Sequence, residues 1–264
     1  MAYSEIFGDP AHRALLRRGE DLWRVAKENP RYAYYGTVVS LSDPQEDCAD
    51  VLASLARLQG LGMCFYFPRE EASALLISLE EQGFRTAESL FHRGGQAAYE
   101  ASKSLLASKP APADLRIMAL DRSTPSDTIR ATVELCQTCG LSSMPGEVMR
   151  GIASPGINLV ALGPDGVPVA TAASYAMHAP DTPKAREAFW GVLATREDYR
   201  GRGLAAWLGA MAIVHMWENE GMRGFNTGIK AENAASRAAC AKLGIVDTDW
   251  VTAFCFDDAR LAAG

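Results

Sequence analysis

The junction between residues 185–195 and 204–220 constrains the fold of this chain more than any other segment. The first stretch, AREAFWGVLAT, is typical of a β-strand, and the second, LAAWLGAMAIVHMWENE, predicts a long helix. Between them, residues 200–203 read Arg-Gly-Arg-Gly. The first N–H groups of a helix lack intrahelical partners, and Gly201 and Gly203 allow an anion to approach the backbone. The sequence therefore predicts a phosphate-binding loop at the start of this helix.

This loop differs from two common nucleotide-binding patterns. It lacks the GxxxxGK[ST] spacing, and Gly203 is followed by Leu, Ala and Ala, so GxGxxG is absent too. Arg200-x-x-Gly203-x-Ala205 instead resembles the (Q/R)xxGx(G/A) loop of the GNAT acetyltransferase superfamily.

A second pattern lies downstream, at the start of another predicted helix. The run Asn233-x-x-Ser236-x-x-x-Cys240-x-Lys242-x-Gly244 resembles the NxxSxxxYxKxGF motif of the same superfamily, with cysteine in the usual tyrosine position. With both motifs in the family's order, the chain is similar to GNAT N-acetyltransferases over about residues 113–257.

The resemblance implies an α/β (α+β) fold with a mixed, mostly antiparallel GNAT sheet flanked by helices. We expect this GNAT domain at residues 113–264, preceded by a smaller α/β domain at 1–105. The N-terminal domain is either a degenerate GNAT-like copy or an unrelated small α/β domain. The Pro- and Ala-containing stretch 102–114 predicts a linker between the two.

Hydrophobic periodicity and turn residues predict the individual elements. The predicted helices cover residues 11–29, 48–59, 70–82, 127–139, 147–153, 204–220 and 233–243. The predicted strands cover residues 31–41, 62–67, 84–92, 114–120, 157–162, 167–177, 185–195, 225–229 and 249–256.

The resemblance also implies which residues bind acetyl-CoA as a co-substrate. In the family, N–H groups of the loop hold the pyrophosphate, and a bulged strand end pairs with pantetheine and meets the thioester oxygen. Carried over to this chain, the binding residues are Leu193, Ala194, Thr195, Arg200, Gly201, Arg202, Gly203, Leu204, Ala205, Asn233 and Ser236. Asparagine at a helix start is equally typical of a simple N-cap, so both interpretations of Asn233 stay open.

Three residues are catalytic candidates. Glu187 corresponds to the carboxylate that takes the amine proton, although a surface glutamate is the plainer interpretation. His178 is a second candidate base, with Tyr175 beside it. Cys240 stands where the family's tyrosine protonates the departing thiolate, but in an Ala-rich helix it is also typical of a buried apolar residue.

Composition excludes several other classes. The net charge of −6 argues against nucleic acid or an anionic membrane as a partner, and no apolar run reaches membrane-spanning length. The first residues do not read as a secretory signal, so we expect a cytoplasmic protein. Cys136 and Cys139 form a single CxxC with no second pair, so we expect no metal.

The sequence therefore predicts acetyl transfer from acetyl-CoA to the amine of a small molecule. A protein or peptide N-acetyltransferase, a non-catalytic CoA-binding regulatory module and an aminoacyl transferase using tRNA are the alternatives. The acceptor loops contain no recognisable motif, and whether the chain forms a homodimer is left open.

Overall fold

The computed structural model describes residues 5–263. Its α-helices are α1 (Pro10–Ala26), α2 (Cys48–Gln59), α3 (Arg69–Glu81), α4 (Gln96–Ser108), α5 (Ser126–Thr138), α6 (Gly146–Met149), α7 (Leu204–Glu218), α8 (Ala234–Lys242) and α9 (Asp258–Ala262). Its strands are β1 (Tyr32–Ala33), β2 (Ser40–Leu41), β3 (Leu61–Pro68), β4 (Arg85–Gly94), β5 (Arg116–Ala119), β6 (Gly156–Leu162), β7 (Pro168–Ala176), β8 (Glu187–Thr195), β9 (Gly224–Ile229) and β10 (Val246–Phe256). The predicted mixed α/β architecture is confirmed.

Two sequence predictions about local structure were wrong. Residues 31–41 form two short strands rather than one, because the chain between β1 and β2 leaves the sheet. The stretch 102–114 is helical up to Ser108, so the connection to β5 is shorter than expected. The core side of α4 carries the small residues Ala98 and Ser102, and such positions give only a weak hydrophobic pattern.

All ten strands belong to one sheet, in the order β1-β2-β3-β10-β4-β9-β8-β7-β6-β5. The last strand of the chain, β10, lies between β3 and β4, and β4 in turn lies between β10 and β9. Each half of the molecule therefore inserts its last strand into the sheet of the other half. Residues far apart in sequence meet along β4 for this reason.

The two halves share a further topological feature. The strand β2 runs parallel to β3 through the crossover helix α2, and β8 runs parallel to β9 through α7. In each case the second strand of the parallel pair adjoins the inserted strand of the other half. This repetition is what two related halves would produce, although the predicted domain boundaries stay a prediction.

Helices cover both faces of the C-terminal part of the sheet. On one face, α7 packs on Trp190 and Phe225, and the Trp190 indole donates to the Gly209 carbonyl. On the other face, α5 and α6 enclose Tyr175 and Val192. Within residues 5–263, no helix combines the length and apolarity needed to cross a bilayer.

Candidate active site

The loop before α7 presents unpaired backbone donors. Gly203 is the N-cap of α7, with φ of 77°, and Gly201 has φ of 78°. The first hydrogen bond of the helix runs from Trp207 N to the Gly203 carbonyl, and no side chain caps the helix. The N–H groups of residues 201–206 consequently find no acceptor among the described residues. These donors and the positive end of the helix dipole make the loop a candidate anion site.

Basic side chains surround the same loop. Arg200 is exposed, donates only to the Thr195 carbonyl at 3.3 Å, and forms no ion pair with any residue in the described range. Arg202 is bound to Asp114 through hydrogen bonds of 2.6 and 2.8 Å. Lys109, which directly follows α4, donates to the Arg202 carbonyl at 2.9 Å. A phosphate at this loop would therefore meet Arg200 and Lys109 as well as the backbone.

The strand β8 is bulged next to this loop. Thr171 pairs with Ala194 and Ala173 with Gly191, so Val192 and Leu193 together face Ala172. Val192 has φ of 54°, a region that a β-branched residue rarely adopts. Strain of this kind persists where the surrounding structure enforces it, and it is concentrated at functional sites.

The strands β8 and β9 separate at the bulge. Their parallel pairing begins at Glu187 and Gly224 and ends with Phe189 and Asn226. Beyond this last pair β8 continues to Thr195, while β9 remains paired only with β4. From this opening β8 leads through Thr195 to the loop before α7, and we call the bulge, the opening and the loop together the candidate cleft.

The predicted binding residues of α8 lie at its first turn. The Asn233 side chain accepts a hydrogen bond from Ser236 N at 3.0 Å, which makes it the N-cap of this helix. Asn233 is exposed and Ser236 is half-buried. The N-cap interpretation of Asn233 is thus observed, and its contact with CoA stays a prediction.

Cys240 lies in the apolar core between the sheet and its helices. The residue is 1% exposed and packs with Leu243 and Ile245. Burial raises the pKa of its thiol to about 12. A buried thiol that holds its proton so strongly is poorly suited to protonate a leaving thiolate, so the geometry favours the apolar interpretation.

Glu187 is tied to the N-terminal half rather than standing as a free surface carboxylate. Arg93 on β4 donates hydrogen bonds to its carboxylate from two nitrogens, and Nε lies 3.1 and 3.0 Å from the two oxygens. Tyr66 on β3 donates its hydroxyl to Oε2 at 3.4 Å and accepts from Asn226 Nδ2 at 3.3 Å. The Glu187 side chain is only 14% exposed. The plain surface interpretation is therefore wrong, and a proton-accepting role stays a prediction.

Tyr66 holds an unusual backbone conformation. Phe65 and Tyr66 together face Thr252 across a second bulge, and Tyr66 has φ of 54°. Burial and the neighbouring Glu187 raise the pKa of its hydroxyl well above the ordinary value, so it remains a neutral donor. Asn226 keeps its Oδ1 buried with no partner among the described residues.

The other candidate bases are buried. His178 is 8% exposed, its Nδ1 lies 3.1 Å from the Ser42 hydroxyl, and burial lowers its pKa to about 4. Tyr175 is completely buried and accepts from Asn158 Nδ2 at 3.1 Å, and burial raises its pKa. Neither side chain contacts Glu187 directly.

Cysteine and histidine form no metal cluster in the described part of the chain. All six cysteines are free thiols, including Cys136 and Cys139. No group of three or more His, Cys, Asp or Glu residues within residues 5–263 is arranged to hold a metal ion.

The comparison with protein families identifies the domain that carries this cleft. Residues 142–245 match the family model described as Acetyltransferase (GNAT) family, and both sequence motifs lie within that range. Residues 142–245 are therefore similar to a GNAT acetyltransferase domain, in agreement with both motifs. No curated protein matches the sequence significantly.

Solved structures of low sequence identity share the fold. A tandem GNAT protein from the clavulanic acid biosynthesis pathway aligns with a TM-score of 0.53 and 15% identity, over 78% of this chain and 66% of that one. This chain thus spans slightly less than two thirds of that protein. A GCN5-related N-acetyltransferase from Kribbella flavida aligns with a TM-score of 0.53 and 16% identity, over 92% and 95% of the two chains. A GCN5-related N-acetyltransferase-like protein from Streptococcus suis aligns with a TM-score of 0.52 and 18% identity, over 86% of this chain and 82% of that one.

Sequence reasoning missed four residues of the cleft, namely Tyr66, Arg93, Lys109 and Asn226. The first two belong to the half without a motif, and only strand insertion brings them to Glu187. Lys109 could have been suspected because it is a basic residue within the predicted linker. For Asn226, a polar residue inside a predicted strand was the signal, since buried strands rarely carry unpaired amides.

Proposed function

We propose that this protein is an acetyl-CoA-dependent N-acetyltransferase that transfers an acetyl group directly to the amine of a small molecule. One observation carries the proposal: β8 and β9 separate beyond Phe189, next to the bulge at Val192, and β8 then leads to the unpaired N–H groups of residues 201–206. A long cofactor with a pyrophosphate at one end and a reactive group at the other would bridge these two features.

The residues present fit such a cofactor. The loop N–H groups, Arg200 and Lys109 would hold the pyrophosphate, since helix N-termini and guanidinium groups both suit phosphate. When bound, acetyl-CoA supplies a thioester whose carbonyl carbon the amine attacks. An N–H at Val192 or Leu193 would stabilise the negative charge that develops on the thioester oxygen.

The acceptor amine would approach near Glu187. A primary amine is mostly protonated near neutral pH and must lose a proton before it attacks. Glu187 would take that proton, directly or through water, and its position on β8 below the bulge agrees with this role. Tyr66 and Arg93 hydrogen-bond the Glu187 carboxylate and so limit the space in which an acceptor can reach it. This arrangement favours a small amine over a protein chain.

Release of free thiol from acetyl-CoA, measured across a library of amines, tests the proposal. We expect turnover with at least one small amine and a mass increase of one acetyl group on that amine. Binding of acetyl-CoA without turnover of any amine would favour a CoA-binding regulatory module instead.

Gly203→Glu tests the cofactor loop separately. A carboxylate at the N-cap would repel the pyrophosphate, so binding of CoA, measured by calorimetry, should be lost. Gly166→Glu is the matched control, because Gly166 has the same φ of 77° and lies in an exposed hairpin turn with open space around it. If Gly203→Glu binds CoA as well as Gly166→Glu does, the phosphate-loop assignment is wrong.

A further inference from the structure

A cavity of about 620 Å³ lies between the two halves of the molecule. Helix α1 contributes Trp23 and the segment after β1 contributes Tyr34, whereas the C-terminal half contributes Val148, Met177 and Met222. The cavity is thus built only when the N-terminal half packs on the acetyltransferase domain, and it lies at the end of the sheet opposite to the phosphate loop.

The walls of the cavity suit a flat apolar group. Trp23 and Tyr34 are stacked, with ring centroids 5.2 Å apart and an angle of 14° between the planes. The charged residues of the rim balance each other, because two acidic residues, Glu20 and Glu147, face two basic ones, Arg24 and Lys27. A ligand body with no charge of its own and a planar apolar surface would match this lining.

His178 lines the cavity and carries a polar atom without a partner among the described residues. Its Nε2 is buried and has no partner among the described residues, while Nδ1 faces the Ser42 hydroxyl. Since burial lowers the pKa of His178 to about 4, the ring is neutral near pH 7, and either tautomer leaves Nε2 one hydrogen bond to make. An unpaired buried polar atom is costly, so a small movement of the ring that brings Nε2 to a ligand in the cavity would be favourable.

The inner end of the cavity is close to the reaction centre. The His178 ring lies 6.1 Å from the ring of Tyr66, whose hydroxyl contacts both Glu187 and Asn226. Asn226 belongs to the last pair before β8 and β9 separate. The end of a bound molecule that lies at His178 would therefore be separated from the candidate cleft only by the ring of Tyr66.

A primary ammonium already lies on that ring. Lys184 Nζ is 4.2 Å from the centroid of Tyr66 and forms an ion pair with Asp43. The Lys184 side chain is 21% exposed. The buried ring of Tyr66 is thus compatible with an alkylammonium group beside it.

We propose that this cavity is the acceptor site and that it selects a primary amine carried on a flat apolar or aromatic body. The body occupies the space beside Trp23 and Tyr34, a polar atom of the ligand meets His178 Nε2, and the amine extends past Tyr66 to Glu187. This inference rests on the proposed acetyltransferase function and names the substrate class for it.

Two groups of amines test the inference in the thiol-release assay. We expect kcat/KM for 2-phenylethylamine and tryptamine to exceed that for putrescine and spermidine by about tenfold or more, because aromatic contacts with Trp23 contribute to binding. Higher kcat/KM for the aliphatic polyamines would overturn the cavity assignment while leaving acetyl transfer intact. Binding of 2-phenylethylamine, followed by calorimetry, reports on the cavity even if no amine is turned over.

Variants of α1 provide the matched comparison. Trp23→Ala should raise KM for 2-phenylethylamine about tenfold and weaken its binding equally, with kcat little changed, and Trp23→Phe should restore most of the affinity. Val25→Ala is the control, since Val25 lies on the same helix and is 84% exposed. Melting temperatures of all three variants monitor the fold. Unchanged KM and binding in folded Trp23→Ala would refute the assignment.

Discussion

Arg93 and Glu187 form an ion pair that joins the two halves of this protein beside the proposed reaction centre. Arg93 lies on β4, the strand that the N-terminal half inserts beside β9, and Glu187 lies at the start of β8. The hydrogen bonds to Glu187 raise the pKa of Arg93 against the opposing effect of burial. The pair thus fixes the orientation of the candidate base and adds a side-chain link between the two halves, which already share the sheet.

Loss of this ion pair should destabilise the fold. Arg93→Met leaves the mostly buried Glu187 carboxylate without its cationic partner, and we expect the free energy of unfolding to fall by about 2 kcal/mol. Urea denaturation measures this change. The double variant Arg93→Met/Glu187→Gln should recover part of the loss, because the uncompensated charge is then absent.

Arg85 offers a control on the same strand. It forms a comparable ion pair with Asp258, but both side chains are more than half exposed. Exposed pairs contribute little to stability, so Arg85→Met should be clearly less destabilising than Arg93→Met. Equal losses for the two variants would contradict a special role of the Arg93–Glu187 pair.

The Tyr66 hydroxyl should matter for turnover more than for folding. Tyr66→Phe keeps the ring but removes the donor to Glu187 and the acceptor for Asn226, and we expect kcat to fall about tenfold with KM for acetyl-CoA unchanged. Tyr99→Phe is the control, since it removes a hydroxyl that contacts Glu218 on α7 instead. A tenfold loss in both variants would argue for a general structural effect.

Lys109 should contribute to cofactor binding. Its ammonium lies beside Gly203, where a phosphate would approach, so Lys109→Ala should raise KM for acetyl-CoA about fivefold and reduce its dependence on salt concentration. Lys103→Ala on α4 is the matched control, because Lys103 contacts Tyr99 instead of the loop. Initial rates at several salt concentrations measure both effects, and identical KM values for the two variants would contradict the assignment.

Cys240 should be dispensable for chemistry. Because the thiol is buried and its pKa is raised to about 12, we expect Cys240→Ala to retain turnover within about twofold. The lost packing should cost about 1 kcal/mol in the free energy of unfolding. A large loss of kcat with intact binding of CoA would restore the acid role that the motif implies.

His178 should make the protein sensitive to mild acid. Its pKa is about 4 in the folded protein against an ordinary value of 6.5, so the unfolded chain binds more protons between these values. The free energy of unfolding is therefore unaffected by His178 above about pH 6.5, and it decreases as the pH falls towards 4. Compared with His178→Asn, the wild-type protein should lose about 2 kcal/mol more of its unfolding free energy between pH 7 and 4.5. Parallel pH profiles of the two proteins would exclude this effect.

Local patterns in the sequence predicted most of the elements. The helices α2 and α7 and the strand β10 were foreseen because hydrophobic periodicity and turn residues act over a few neighbouring positions. The helix α4 was missed because its buried side carries small residues such as Ala98 and Ser102. Small side chains allow close packing against α7 but give only a weak hydrophobic pattern in the sequence. The insertion of β4 and β10 could not be predicted, because strand pairing over such long sequence separations depends on the complete sheet.

The same division applies to the site. The sequence by itself predicted a phosphate loop at residues 200–205, because the loop is contiguous and its donors are backbone groups at a helix start. Only the tertiary structure decided that Cys240 is buried and that Glu187 meets Arg93 and Tyr66. Glu187 lies on a strand of one half of the chain and Arg93 and Tyr66 on strands of the other, and it is the exchange of strands that brings their atoms within hydrogen-bonding distance.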